Sequence, residues 1–367
     1  MSIFKAYDVR GIVPDQLDTN LARQIGQAFA NWLLDDTRSR RGDASITRVR
    51  VGVGRDARPS GETLVPALLE GLQAGGADVV FFGLTTTPML YFGVGSLELD
   101  GGIMATASHN PPQYNGFKFT REDAYPISLE TGIGDFERRI AQGRLHTVGG
   151  AAPIVEHDLQ EAYRAFVLGF LKPAPANAKR LKVAIDTANG MGGLYASLFD
   201  EFGIDVVPLY FPLDCTFPNH EANPLKASTL VDLQRTIREH GCDLGFAFDG
   251  DADRCVAVDE TGAIVRADIM TALLAVEMLE RKPGAAVLYD LRSSKVVPET
   301  IAQHGGRPMR VRVGHSFAKA VMREQKAVFG GELSGHSYFW DAFKSDSAIL
   351  TMVEVLNVLR KRNQPLG

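Results

Sequence analysis

Apolar and polar positions follow the same pattern in three parts of the chain, residues 48–83, 180–209 and 284–314. In each part a short apolar run is followed by a turn-rich loop, then by apolar residues at helical spacing, then by a second apolar run. The pattern predicts a strand, a helix and a second strand. Such βαβ units are common in any α/β protein, but three of them with equivalent loops indicate three related α/β domains.

The loops that follow the first strand of each unit are expected to face a shared cleft, because ligands gather beyond the carboxyl ends of strands in such sheets. These loops read "GRDARPS", "DTANGMGG" and "DLRSSK". Domain boundaries are expected near residues 150 and 255, and the Gly/Ala/Pro run "VGGAAP" marks the first of them. We therefore predict domains over residues 1–150, 151–255 and 256–367.

Composition narrows the class of protein. The 367 residues exceed one ordinary domain, and 45% hydrophobic with 23% charged residues is typical of a soluble chain with a sizeable core. A net charge of −5 argues against general nucleic-acid affinity.

The cysteines form no CxxC pair, which indicates a reducing compartment; they are Cys215, Cys242 and Cys255. The N-terminus lacks a secretory apolar run, and the apolar stretch 79–95, interrupted at Pro88, predicts strands and loops rather than a membrane span. A cytoplasmic protein is expected.

The stretch "MATASHNPPQYNGFKF", residues 104–119, carries the first candidate for chemistry. Two adjacent prolines prevent a helix through its middle and remove two backbone donors from any strand ladder. Ser108 and His109 are therefore expected on an irregular loop between the apolar run "GGIMATA" and the strand-like run "GFKF".

The stretch "LGFAFDGDADRCVAVDE" places Asp249, Asp251 and Asp253 at alternate positions between two strand-like runs. Alternate side chains of an extended segment point to one side, so the three carboxylates can converge, and Mg²⁺ would remove their repulsion. A calcium loop of the EF-hand type is a rival, with Glu260 at its twelfth position. Its sixth position needs glycine, however, and holds Arg254. A solvated acidic turn is the third possibility; the apolar flanks favour Mg²⁺.

A serine on a rigid loop, an acidic magnesium loop and scattered arginines together suggest phosphoryl transfer through a phosphoserine. At this point the sequence resembles a known family. The motifs "TASHNPP", "DGDADR" and "GELSGH", in this order, are similar to those of the α-D-phosphohexomutases, in particular the phosphomannomutase/phosphoglucomutase group. The likeness extends from "AYDVRG" at residue 6 to the end of the chain. It implies mixed sheets sandwiched by helices around a central cleft, in a phosphoserine, a metal-binding and a sugar-binding domain.

The resemblance also implies a reaction. Ser108 would carry the phosphoryl group, with Mg²⁺ bridging it to Asp249, Asp251 and Asp253. Transfer to a hexose 1- or 6-phosphate would give a 1,6-bisphosphate, which turns around and returns its other phosphate to Ser108; glucose 1,6-bisphosphate is the expected activator. The resemblance does not decide which residue is the general base. The candidates, which match family positions around the phosphoserine, are Arg10, His109, Lys118 and Arg254.

The motif "GGELSGHSYF" is implied to recognise the sugar, since the Glu332 carboxylate and the Ser334 hydroxyl can bond adjacent hydroxyl groups. His336 joins them by resemblance, and so does His315. Leu333 stands where the family's glucosamine branch typically has Gln, which argues against an aminosugar. Two more residues are implied near the substrate: Arg292, where many relatives have lysine, and Tyr7, for which a packing role is an equal alternative.

The sequence thus predicts a monomeric, Mg²⁺-dependent mutase acting on glucose or mannose phosphates. A sugar phosphatase that uses the same serine is the runner-up, and a non-catalytic sugar-phosphate binding protein is the third reading. Family members continue into a fourth domain whose Arg/Ser/Gly/Thr-rich loop grips the non-reacting phosphate. No such loop follows Glu332 here, and the sequence ends at "LNVLRKRNQPLG". A three-domain form with little mutase activity is therefore expected.

Overall fold

The computed structural model describes residues 2–176 and 178–367. They form two compact units that divide after Leu159. The first unit holds one sheet and the second holds two.

The first unit is built on a six-stranded mixed sheet with the order β1-β5-β4-β2-β3-β6. Strands β2, β3, β4 and β6 are parallel, whereas β5 is antiparallel to β4 and β1 is antiparallel to β5. The strands are β1 (Val9–Ile12), β2 (Val49–Arg55), β3 (Ala77–Leu84), β4 (Gly101–Ala105), β5 (Tyr114–Arg121) and β6 (Val155–Glu156).

Four α-helices accompany this sheet: α1 (Thr19–Arg41), α2 (Gly61–Ala74), α3 (Thr87–Ser96) and α4 (Gly134–Ala141). Helix α1 begins where the Asp18 side chain accepts a hydrogen bond from the Leu21 amide, and it ends at Gly42, whose φ of 64° is left-handed. Helices α1 and α2 touch closely, since a Cβ on Gly71 would lie 1.9 Å from the Arg23 carbonyl oxygen. The close contact therefore requires glycine at position 71.

Helix α3 differs from the prediction of strands and loops over residues 79–95. The Thr86 side chain accepts a hydrogen bond from the Met89 amide, and Pro88 occupies the first turn. A proline is tolerated there because the first turn has no use for its missing N–H group. Among the described residues, no helix is both long and apolar enough to cross a membrane.

The second unit begins with α5 (Gln160–Leu168) and a four-stranded sheet of order β10-β9-β7-β8. Strands β7, β8 and β9 are parallel and β10 is antiparallel to β9. Its elements are β7 (Lys182–Asp186), α6 (Ala196–Glu201), β8 (Asp205–Leu209), α7 (Val231–His240), β9 (Leu244–Phe248) and β10 (Cys255–Asp259). Because β10 belongs to this sheet, the sheet continues to Asp259, past the boundary expected near residue 255.

The other sheet of this unit has the order β12-β11-β13-β14-β15. Strand β11 is parallel to β12 and β13, and the remaining pairs are antiparallel. Its elements are α8 (Ala267–Arg281), β11 (Ala286–Asp290), α9 (Val296–Gln303), β12 (Arg307–Val311), α10 (His315–Gln325), β13 (Phe329–Gly331), β14 (Ser337–Phe339), β15 (Ser345–Asp346) and α11 (Ala348–Arg362). The three predicted βαβ units are confirmed as β2-α2-β3, β7-α6-β8 and β11-α9-β12, and the sheets are mixed as expected.

Candidate active site

Ser108 lies on the loop that leaves the carboxyl end of β4, as predicted. It is buried, and its φ of 50° is left-handed, a conformation that residues other than glycine seldom adopt. Its amide donates to Oγ1 of Thr106 over 2.9 Å, and its Oγ lies 3.3 Å from Nδ1 of His109. The serine and the adjacent imidazole are therefore held together at the edge of the sheet where ligands are expected.

Two further predicted residues lie on strands of the same sheet. Arg10 of β1 donates from Nη1 to Oδ1 of Asn110 in the serine loop, over 2.7 Å, and pairs with Asp8 over 2.5 Å. Lys118 of β5 is buried and lies opposite Met104 of β4, close to where the loop begins. Tyr7 is half-buried just before β1. The structure thus places Arg10 in contact with the loop and Lys118 on the neighbouring strand.

A residue of this region was missed by the sequence reasoning. Arg58, in the loop after β2, is fully buried and binds backbone carbonyl groups of the serine loop. A signal was present, because "GRDARPS" follows a strand parallel and adjacent to β4. Nothing in the local sequence, however, distinguishes Arg58 from a surface arginine.

The acidic triplet occupies the tight turn between the antiparallel strands β9 and β10, where Phe248 pairs with Cys255. The segment is therefore a hairpin turn, not the extended stretch assumed from the alternation. Ala252 in its middle has a left-handed φ of 59°. All three aspartates are buried, and each offers one oxygen within 4.8 Å of the others. The predicted convergence occurs, but the turn produces it.

Arg254 is also buried, whereas an isolated arginine is more often a surface ion-pair partner. Its Nε donates to Oδ2 of Asp249 over 2.9 Å, and its own amide donates to Oδ1 of the same carboxylate. Burial by itself lowers the pKa of the guanidinium, but the surrounding carboxylates, Asp249 first, raise that pKa above its usual value. Three buried carboxylates beside one guanidinium form a set of hard oxygen donors with surplus negative charge, which suits Mg²⁺.

The predicted sugar-recognition motif forms the turn between β13 and β14. Glu332 is buried there, and its two carboxylate oxygens accept hydrogen bonds from Ser334 Oγ and from the Tyr338 hydroxyl, each over 2.8 Å. These bonds fix the orientation of the carboxylate. The turn thus brings the two predicted hydroxyl-binding groups, Glu332 and Ser334, into direct contact.

Asp290, at the carboxyl end of β11, connects this motif to the loop "DLRSSK". Its Oδ2 accepts from the Leu333 amide and from Nη2 of Arg292, each over 2.8 Å. Because Arg292 is held by a carboxylate that also contacts the neighbouring motif, the structure brings it to the same edge of the sheet as Glu332.

His336 adjoins both the acidic turn and a buried ion pair. Its Nδ1 lies 2.8 Å from Oδ2 of Asp346 and 3.8 Å from Oδ1 of Asp253, and its ring centre is 5.9 Å from that of His315. Asp346 also pairs with Nζ of the buried Lys319 over 2.5 Å. Burial raises the pKa of Asp346, but Lys319 and His336 outweigh it and hold that pKa well below its usual range. Sequence reasoning missed Lys319 and Asp346.

We predict that Asp346→Asn lowers the free energy of unfolding by about 3–5 kcal/mol, because it removes the carboxylate that pairs with the buried Lys319 ammonium. Urea unfolding at neutral pH measures this loss. Asp341→Asn is the matched control, since Asp341 pairs with Lys282 at the surface and its loss should cost below about 1 kcal/mol. Asp346 contributes stability above its unfolded pKa of about 3.9 and loses it as the pH falls through its lower folded value. Equal losses in both variants would contradict the prediction.

Comparison with known proteins matches this architecture to a family. The models of the phosphoglucomutase/phosphomannomutase alpha/beta/alpha domains I, II and III match residues 1–143, 161–262 and 266–367. The chain belongs to the phosphoglucomutase/phosphomannomutase family. The three matched ranges correspond to the three sheets of the structure, and the second of them ends just after β10.

Curated members of the family support the assignment over the whole chain. A phosphomannomutase of Salmonella typhimurium is 35% identical over 375 residues, which cover 100% of this chain and 79% of that protein. A phosphomannomutase/phosphoglucomutase of Pseudomonas aeruginosa is 37% identical over 362 residues, covering 98% of this chain and 74% of the relative.

Solved structures agree with these relatives. A phosphoglucomutase/phosphomannomutase family protein of Burkholderia thailandensis has a TM-score of 0.89 at 35% identity, over 98% of this chain and 77% of that one. A putative phosphomannomutase of Thermus thermophilus has a TM-score of 0.87 at 24% identity, over 99% of this chain and 81% of that one, which supports the fold alone.

Proposed function

We propose that this chain interconverts the 1- and 6-phosphates of glucose, mannose or both, through a phosphoserine at Ser108 and a hexose 1,6-bisphosphate. As a member of its family it is an intramolecular phosphotransferase. The relatives named phosphomannomutase support hexose phosphates as the substrate class. The choice of serine rests on one observation, the buried, left-handed Ser108 beside His109 at the carboxyl end of β4.

The proposed step is a phosphoryl transfer from Ser108 to a sugar hydroxyl. The bond between Oγ of Ser108 and phosphorus breaks, and a bond between the hydroxyl oxygen and phosphorus forms. The proton of the hydroxyl passes to a basic side chain of the site. The bisphosphate then donates its other phosphoryl group to Oγ of Ser108, which restores the phosphoserine. Arg10 and Lys118 are cations beside the serine loop and would stabilise the charge on the phosphoryl oxygens.

Asp249, Asp251 and Asp253 would hold the magnesium ion. When bound, Mg²⁺ offsets the negative charge of the transferring phosphoryl group. Arg254 would keep the Asp249 carboxylate oriented through the bonds described above, and it adds a second positive charge to the turn.

Glu332 and Ser334 would bind adjacent sugar hydroxyls, with the carboxylate as acceptor. Their mutual hydrogen bond and the bond from Tyr338 reduce the ordering that sugar binding requires. Glucose and mannose differ at the 2-hydroxyl. If Glu332 and Ser334 bind hydroxyls other than the 2-hydroxyl, the site can accept both sugars.

The experiment that tests the function supplies glucose 1-phosphate with catalytic glucose 1,6-bisphosphate and Mg²⁺. Formation of glucose 6-phosphate supports the mutase. Release of free phosphate would instead support a phosphatase, in which water takes the phosphoryl group. Absence of both products with glucose and mannose 1-phosphate would support a sugar-phosphate binding protein if the chain extended by a fourth family domain also forms neither.

We also propose that contacts to the non-reacting phosphate, which the resemblance assigns to a fourth domain, are needed for full mutase activity. The chain covers 79% of the Salmonella relative. A fourth family domain would add charge-assisted hydrogen bonds to the non-reacting phosphate, each contributing about 1.5–3 kcal/mol. Extending the chain with such a domain is expected to raise both turnover and sugar-phosphate affinity, measured as kcat and KM. Equal values for the two chains would show that these contacts are dispensable.

A further inference from the structure

The buried guanidinium of Arg58 makes an unusual set of contacts, because most of its partners are backbone carbonyl groups of one loop. Arg58 is fully buried, and its Nε donates to Oδ2 of Asp56 over 3.1 Å. Its Nη atoms donate to the carbonyl oxygens of Ser108 (2.8 Å), Asn110 (2.7 Å), Pro111 (2.8 Å) and Tyr114 (2.9 Å). One side chain thus holds the loop from the serine to the start of β5.

Asp56 connects Arg58 to the backbone amide of Ser108 through Thr106. It neutralises Arg58, and its Oδ2 also accepts from Oγ1 of Thr106 over 2.6 Å. Oγ1 of Thr106 in turn accepts from the Ser108 amide. The amide and the carbonyl of Ser108 are therefore both connected to the same buried ion pair, Asp56–Arg58. We call this pair, together with Thr106, the clamp.

The clamp explains how Ser108 keeps its left-handed backbone. A serine in that conformation is strained and persists only where the surrounding contacts determine it. The clamp provides such contacts by fixing both backbone groups of Ser108, and it does so without using the Ser108 side chain. A lysine at position 58 could not do the same, because a single ammonium lacks the planar fork that reaches several carbonyl groups.

We infer that Arg58 is the positioning residue of the serine loop, and that the clamp fixes the backbone of Ser108 so that its Oγ is presented for phosphoryl transfer. The inference about turnover rests on the proposed function. The inference about loop geometry does not, and it is tested separately.

The experiment compares Arg58→Lys with Arg48→Lys as a matched control. Arg48 also pairs with an aspartate, Asp78, and donates to backbone carbonyl groups, those of Ala77 and Gly149. It lies at the amino end of β2, away from the serine. Hydrogen exchange of residues 106–110 reports on the loop. Intact mass after treatment with glucose 1,6-bisphosphate reports on Ser108 phosphorylation, and kcat, KM and Tm complete the set.

In Arg58→Lys we expect loop exchange to be at least about tenfold faster and kcat to fall about 100-fold with KM little changed, since misplacing a reacting group acts on the chemical step. In Arg48→Lys we expect a smaller fall in Tm, because its ion pair is partly exposed, with loop exchange and kcat as in the unmodified chain. Unchanged loop exchange in Arg58→Lys would overturn the inference. So would equal changes in both variants, because these would indicate general destabilisation.

If Arg58→Lys does not fold, the clamp is tested with two other variants, Thr106→Val and Thr106→Ser. Valine removes the acceptor of the Ser108 amide, whereas serine keeps it, so exchange in the loop should rise with valine and be restored with serine. Equal exchange in both would overturn the clamp. Failure of the unmodified chain to become phosphorylated would count against the proposed function alone, because loop exchange is measured without substrate.

Discussion

Replacing Ser108 with alanine is expected to lower mutase turnover by roughly 10⁴-fold or more while the chain stays folded. Alanine removes the oxygen that would carry the phosphoryl group. The loop should keep its shape, because the contacts with Arg58 and Thr106 use the backbone of residue 108. Serine and alanine are also similarly strained in the left-handed region. Coupled assays of glucose 6-phosphate formation measure the turnover, and thermal unfolding measures the fold.

A suitable control is Ser128→Ala. Ser128 is a buried serine of the same unit that interacts with Thr131 at the start of a helical turn, away from the serine loop. Its replacement should lower stability by roughly 1 kcal/mol and leave turnover nearly intact. A Ser108→Ala chain that retained turnover within about tenfold of the unmodified one would exclude the phosphoserine mechanism.

The second large effect is expected for Asp251→Asn. This change removes one charge at nearly constant shape, and it spares Asp249, which holds Arg254, and Asp253, which adjoins His336. Mg²⁺ affinity should fall by more than about 100-fold, beyond the loss typical of a residue that only supports a ligand. Without metal, stability should hold or rise, because repulsion within the turn decreases. Titration calorimetry with Mg²⁺ and urea unfolding in chelator measure the two quantities.

Asp259→Asn provides the comparison for this experiment. Asp259 closes β10 and accepts bonds from Thr261, outside the triplet. The Asp259→Asn substitution should therefore lower stability more than it lowers Mg²⁺ affinity. Turnover supported equally well by Ca²⁺ would contradict the magnesium assignment, since calcium prefers more ligands at longer distances.

The strands and helices were predictable where the chain repeats a simple pattern. The three βαβ units were found because each has apolar runs of strand length and a helix with apolar spacing. Helix α3 was not found, because its nearly uniform apolar sequence has no helical period and contains Pro88. Only its start, with Thr86 as the cap, carries a local helix signal.

The candidate site was likewise predictable from the sequence only in part. Ser108 and the acidic triplet were identified from contiguous motifs, but the hairpin turn that brings the aspartates together depends on a left-handed Ala252, which alternation does not indicate. Arg58 and Asp346 were missed because their partners are distant in sequence: Arg58 and Ser108 are 50 positions apart. Only the pairing of strands brings such residues together.

The contacts of Arg58 also have an evolutionary consequence. The guanidinium recognises carbonyl oxygens, and every amino acid supplies a carbonyl oxygen. A side chain of this loop that is exposed and takes no part in these bonds, such as that of Gln113, can therefore be replaced without loss of the bend that carries the nucleophile. The surroundings of the serine can thus diversify towards new acceptors while the frame that holds it is inherited unchanged.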